Sequence, residues 1–436
     1  MFGPQNGARF RTALGTTRMD KKQVGAWALF DFANSVYPAV ITSVVFNYFY
    51  IQVVVGNEAG EGDWWWARAV SLSALIVALS SPVMGAVADR AGVRKRLMAV
   101  YVTMCVTAVA LFTTLGPGLA FWGFVLFMVA NVGFEGSLVF YNAYLPDIVP
   151  KERQGWVSGL GFGIGYLGSA VGLVLAIPFA EENVGVVWIM VAMFVLVFSI
   201  PSFLYLPHDV KGAMSVGGAA RWGVTSLKEI VGEVLREKDL RRFLLAFFFY
   251  IDGILTAIYM SNSIGATTFG FTQTELIYLY LVVQFAALAG AFALAKPTDT
   301  AGPKKVLTGV LVLWIAVATS LYFVTSQLGF AVLAVLAGFG LGSAQAASRA
   351  FMSSLIPDGR EAEMFGFYAL CGKSSSIIGP FVFGYVAVAT GGDQRLAVMA
   401  ISVLFVIGLV LLQRVNDPKA ANGRAMRESA PVGPLG

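Results

Sequence analysis

Twelve times the sequence returns to an apolar run of about the length that crosses a lipid bilayer as a helix, and that recurrence leaves few folds open. The runs fall at roughly 24–48, 65–87, 97–116, 119–145, 156–180, 185–206, 243–267, 273–295, 306–325, 328–355, 363–388 and 395–413. Hydrocarbon offers no water to the backbone, so each span must satisfy its own N–H and C=O groups, which a helix does alone. The expected fold is therefore all-α and integral to the membrane. Composition agrees, at 57% hydrophobic and 13% charged residues, where soluble domains carry about 25% charge.

Lysine and arginine bias orients the chain. With the first 23 residues on the cytoplasmic side, 26 of the 30 cations fall in segments on that side. The exceptions are Arg68, Arg349, Lys373 and Arg395. Both termini are thus expected to be cytoplasmic, and the net charge of +5 marks topology, not a nucleic-acid surface. No signal peptide is read in the polar, basic start (Arg9, Arg11, Arg18, Lys21, Lys22). Trp64-Trp65-Trp66 suits the outer aromatic belt, and His208 suits a solvated interface. Cys105 and Cys371 each lie within a span and read as small core residues, so neither disulfide nor metal site is expected.

The chain repeats itself. "DRAGVRK" at 89–95 and "DTAGPKK" at 299–305 align, as do "LPDIVPKERQG" at 145–155 and "IPDGREAEMFG" at 356–366, at nearly one offset. Two six-helix halves follow, at 24–207 and 241–414. They are flanked by tails at 1–23 and 415–436 and joined by a polar linker at 208–240. Within that linker "WGVTSLKEIVGEVLREKDLRRF" has helical apolar spacing, expected to form an interfacial helix.

"GAVADRAGVRK" (85–95) resembles the signature loop of the major facilitator superfamily, with Gly85, Asp89, Arg90, Gly92, Arg94 and Lys95 in place. The resemblance implies two pseudo-symmetric halves with a site between them near the midplane. It also implies that this loop latches the cytoplasmic ends together. Asp89 is expected at the N-terminus of helix 11 and Arg90 at Asp147. In the second copy Thr300 replaces the first base, so the latch is expected to rest mainly on the first. "WALFDFANSVYPAVI", "YNAYLPDIVPKERQGWVSGLGFGIGYLG", "FFYIDGILTAIYM" and "SRAFMSSLIPDGREAEMFGFYALCGKSSSIIGP" resemble the subfamily of the fungal vacuolar effluxer of amino acids, which also has bacterial members.

Charge inside lipid costs roughly 2.5–3.5 kcal/mol per residue, so it needs a partner, a cavity or a task. Asp31, Glu135, Asp252, Arg349 and Lys373 fall in spans 1, 4, 7, 10 and 11. The superfamily resemblance implies that helices 1, 4, 7 and 10 line the cavity. Glu135 and Lys373 are expected about 15 Å from the cytoplasmic helix ends, and Asp31 and Arg349 about 10 Å. Asp31, Asn34, Ser35, Pro38 and Thr42 share one helical face, as do Asp252, Thr256, Tyr259 and Ser263; Asn131, Glu135 and Asn142 form a third stripe. Tyr37 joins the candidate site. Pairing as simple glue would join Asp31 or Glu135 to Arg349, and Asp252 to Lys373. Pro38 is expected to kink helix 1 and Gly379-Pro380 helix 11, while the glycines of helix 5 let a neighbour approach.

No phosphate-cradling GxxxxGK[ST] loop and no intramembrane nucleophile–base pair occur, so neither ATP-driven transport nor an enzyme is expected, and no cofactor. Three acids and two bases suit a zwitterion moved with or against a proton by alternating access. The subfamily resemblance points to an amino-acid-like solute in a bacterial cytoplasmic membrane, carried by a monomer. A lipid or amphiphile exporter is the alternative, and a non-transporting receptor ranks last. Whether Asp31 binds cargo, carries a proton or locks the halves stays open.

Overall fold

The computed structural model describes residues 19–56, 61–180, 182–225, 227–375 and 378–416. Most of the two expected tails, with Arg9, Arg11 and Arg18, lies outside the described residues. The first half holds α1 (Lys21–Val55), α2 (Glu61–Ala91), α3 (Arg94–Leu111), α4 (Ala120–Asn142), α5 (Gln154–Ala176) and α6 (Val184–Tyr205). The second holds α7 (Lys238–Thr267), α8 (Gln273–Thr300), α9 (Pro303–Ser320), α10 (Gln327–Leu355), α11 (Glu361–Ser374, resuming as Ile378–Ala389) and α12 (Gln394–Gln413). Among the described residues eleven helices are long and apolar enough to cross a membrane, and the two pieces of α11 supply the twelfth span. The protein is a multi-pass membrane protein. The end at which α1 starts and α12 stops is called proximal below, and the opposite end distal.

Local chemistry sets several boundaries. Asp20 caps α1 through the Lys22 N–H, and Asp393 caps α12 through Arg395 and Leu396. Thr272 and Glu275 form a reciprocal capping box at α8. Gly302, at φ 96°, turns the chain into α9, whose first residue is Pro303. Pro38 cannot donate to the Asn34 carbonyl, and the Tyr37 N–H bonds it instead. From there α1 continues through wide π-helical turns at Tyr37–Val44. The hydrogen bond that Pro38 cannot make is thus absorbed over a widened segment of two turns.

Within the halves α1 packs on α5, α3 on α4, α8 on α10 and α7 on α12; between them α2 packs on α11 and α5 on α8. In lipid no hydrophobic gain separates helix from tail, so close contact must come from shape. Phe46, Phe112 and Trp188 show it at the distal end of the first half, with rings 4.0 and 5.4 Å apart between Phe46 and the other two. Within the linker, Val216–Thr225 and Leu227–Arg236 are helical. The first lies on α2 because Ala219 and Gly223 are buried there, Gly223 facing Val83. His208 is exposed.

Candidate functional site

Three layers of charge join the halves, beginning at the proximal end. Asp89, in the last turn of α2, accepts from the N–H groups of Ala362 (3.3 Å) and Glu363 (2.9 Å) at the start of α11, where the helix dipole favours an anion. Arg94 donates to Asp89 (2.9 Å), Glu361 (3.2 Å), Asp147 and the Ala143 carbonyl (3.0 Å), so one guanidinium gathers the ends of α2, α4 and α11. The expected reach of Arg90 to Asp147 is corrected. One residue along the helix from Asp89, Arg90 points roughly 100° away and lies over the Trp222 ring of the linker at 3.4 Å. Gly85 meets α11 backbone, where a Cβ would stand 2.3 Å from the Ala362 carbonyl oxygen. Gly92 turns the chain at φ 64°, and its missing Cβ leaves room for the Val210 carbonyl.

The second loop copy makes the same contact across the opposite seam. Asp299, ending α8, accepts from the N–H groups of Gly155 and Trp156 at the start of α5, both at 2.8 Å. The Arg94 cluster belongs to the first copy alone, while the second keeps the cap, which needs only the aspartate and a helix start and not the missing base.

Deeper lies Arg349 of α10. It donates to Asp31 of α1 (2.9 Å), Asn142 of α4 (3.3 Å), and the Ser158 hydroxyl (3.0 Å) and carbonyl (2.8 Å) of α5. Its guanidinium faces the rings of Phe162 at 3.9 Å and Trp27 at 4.5 Å. The side chains of Arg349 and Asp31 are 3% and 8% exposed. Sequence reading missed Ser158, hidden within a glycine-rich face that carries no polar stripe.

Glu135 of α4 and Lys373 of α11 form the third connection, an ion pair whose side chains are 17% and 30% exposed. Tyr259 of α7 lies near Lys373 and is 55% exposed. Tyr37 is buried against Phe134, their rings 4.7 Å apart, with its hydroxyl near Glu135 and without a hydrogen-bond partner. Asn34 is turned inward, its amide 3.5 Å from the Ser137 hydroxyl. The pairing of Asp252 with Lys373 is corrected: Asp252 accepts from the Gly379 N–H (2.8 Å) where α11 resumes, and Lys373, before the break, points to Glu135. Of the nine candidate residues, Asp31, Asn142 and Arg349 meet at one point, and Glu135, Lys373, Tyr259 and Tyr37 gather at another.

This geometry joins a chain-wide likeness to known proteins. The family described as "Vacuole effluxer Atg22 like" matches residues 67–425. An uncharacterized MFS-type transporter of Bacillus subtilis, YxiO, is 30% identical over 94% of this chain and 99% of its own length. Autophagy-related protein 22 of Coccidioides immitis is 24% identical over 72% of this chain and 66% of its own. Among solved structures, the human organic anion transporter MFSD10 (TETRAN) superposes with a TM-score of 0.76 at 16% identity, covering 90% of this chain and 99% of that one. The transporter FucP in its outward conformation gives 0.69 at 12%, over 90% and 98%. These structures share the fold, twelve helices in two pseudo-symmetric halves. On the family match and the relative spanning nearly both full lengths, the chain belongs to the Atg22-like family of the major facilitator superfamily.

Proposed function

We propose that this chain is a secondary transporter that moves a small zwitterion of amino-acid type by alternating access, with Glu135 and Lys373 as the cargo site and a proton as the coupling ion. The observation that carries the reading is the accessible ion pair between the halves. A zwitterion can replace each partner for the other, its carboxylate meeting Lys373 and its ammonium meeting Glu135, so the pair need not remain uncompensated when the halves part. Tyr259 and the unpartnered Tyr37 hydroxyl offer further polar contacts beside it. The family description as vacuole effluxers supports transport, and the resemblance of the sequence to the amino-acid effluxer subfamily supports the cargo class.

The buried Asp31–Arg349 cluster, the Arg94 cluster and the two aspartate caps close the proximal end, and rocking the halves 24–207 and 241–414 the other way requires all of them to part. By the lysine and arginine bias that end is cytoplasmic, and bacterial relatives favour the cytoplasmic membrane, with a monomer as the working unit.

A thermal-shift screen of the purified protein against amino acids, peptides, organic acids and lipids tests this, because a ligand at about 100 times its Kd adds roughly 2.7 kcal/mol of apparent stability. An amino acid is expected to stabilise the wild type and neither Glu135→Gln nor Lys373→Ala. Equal stabilisation of both variants would sink the site, and stabilisation by lipids alone would sink the cargo class.

A further inference from the structure

We infer that Asp252 is a proton-binding site distinct from the Glu135–Lys373 pair, and that its protonation loosens the hold of α7 on Gly379 in the Ile378–Ala389 piece of α11. Asp252 is fully buried in α7. Its carboxylate accepts from the Gly379 N–H at 2.8 Å, as α11 resumes at Ile378, and the Thr256 hydroxyl lies 3.4 Å away. The approach is close enough that a Cβ on Gly379 would stand 2.0 Å from Thr256 Oγ1 and 2.8 Å from Asp252 Oδ1.

Among the described residues no cation stands within ion-pair distance of Asp252. The bases and phenols on helices around it are engaged elsewhere: Arg349 of α10 with Asp31, Lys373 of α11 with Glu135, and Tyr250 of α7 with Ser348. Tyr385 on the second piece of α11 is exposed, and Arg395 of α12 lies over Phe269 at the distal end. Tyr280 of α8 faces Gln284. Lys238, Arg241 and Arg242 stand at the proximal start of α7, about 15 Å along the helix or farther. Tyr368 and Cys371 are half-buried on the first piece of α11, Tyr368 beside Ser348.

A buried carboxylate without a counter-ion takes a proton or a metal cation. Here the neighbours are donors at the positive end of a helix, which oppose a metal cation. In its charged form Asp252 holds the restarting helix; protonated, it attracts the Gly379 N–H far less. The first piece of α11 is thus tied at its start by Asp89 and past its end by Asp252, and Lys373 lies one residue before that end. Proton binding at Asp252 therefore changes how firmly Lys373 is presented to Glu135, which is the coupling that the proposed transport needs. The inference rests on that transport reading for its purpose alone.

Hydrogen–deuterium exchange of the full-length purified protein, without cargo, tests it across roughly pH 5 to 8 after correction for intrinsic exchange. Peptides covering 374–382 are expected to change protection about tenfold or more through one protonation in the wild type and in Glu135→Gln, and not in Asp252→Asn. Thr256→Val, which removes one donor at nearly constant shape, is expected to displace the midpoint. A flat wild-type profile, an unaltered response in Asp252→Asn, or an unmoved midpoint in Thr256→Val overturns the inference. Failure of the Glu135–Lys373 cargo reading leaves these outcomes untouched, because no cargo is present.

Discussion

Arg349 and Lys373 each reach from the second half to an acid of the first, yet their surroundings are unlike. Arg349 spends its donors on Asp31, Asn142 and Ser158, between two aromatic rings, and is 3% exposed. Lys373 meets Glu135 and is 30% exposed. A buried guanidinium with four of its five N–H donors already engaged has little to offer cargo, so the buried cluster suits a lock. A single accessible ion pair can exchange partners, so the other suits a binding site. Arginine's rigid fork and lysine's mobile ammonium fit those tasks respectively.

The sharpest way to break this contrast is to remove each base. Arg349→Ala leaves Asp31 buried without a counter-ion and is expected to cost about 3–5 kcal/mol, read from chemical or thermal unfolding in detergent. Lys373→Ala, at an accessible pair, is expected to cost no more than about 1 kcal/mol in the same assay. Equal losses would erase the distinction between lock and site.

Arg94→Ala, which leaves Asp89, Asp147 and Glu361 crowded at one point, is expected to loosen the proximal seam by roughly 2–3 kcal/mol. Faster alkylation of a cysteine placed at Ser158 would report it, and an unchanged rate would argue that the arginine is dispensable to closure. Glu135→Gln is expected to lower transport about tenfold, equivalent to about 1.4 kcal/mol, while leaving that alkylation rate unchanged. Smallest of all, Trp222→Ala removes the ring beneath Arg90 and is expected to cost about 0.5–1 kcal/mol. A larger loss would move the linker helix from a support to part of the seam.

Much of this arrangement is legible in the residues. Hydropathy places the spans because lipid demands length and self-satisfied backbone. The repeat points to both aspartate caps, Asp89 and Asp299, although weighing the missing base at Thr300 hid the second. Stripe arguments find Asp31, Glu135 and Asp252 without their partners, since pairing depends on how two helices meet, which a one-helix period does not encode. So Lys373 was expected at either task, and the way α11 meets α4 and α7 decides that it faces Glu135 while Asp252 faces Gly379. Ser158 had no periodic signal, and Arg90 gave way to Arg94 because one residue along α2 from Asp89 turns the side chain by about 100°, toward Trp222.

The most direct test of the division between site and lock is counterflow of a labelled amino-acid mixture into proteoliposomes holding wild type, Glu135→Gln, Lys373→Ala or the double variant. The expected result is uptake lowered about tenfold or more in every variant relative to wild type, with all three variants folded and with the double variant no worse than either single one, because the two residues act as a unit. Undiminished uptake by the double variant would contradict it and return the cargo site to another part of the chain.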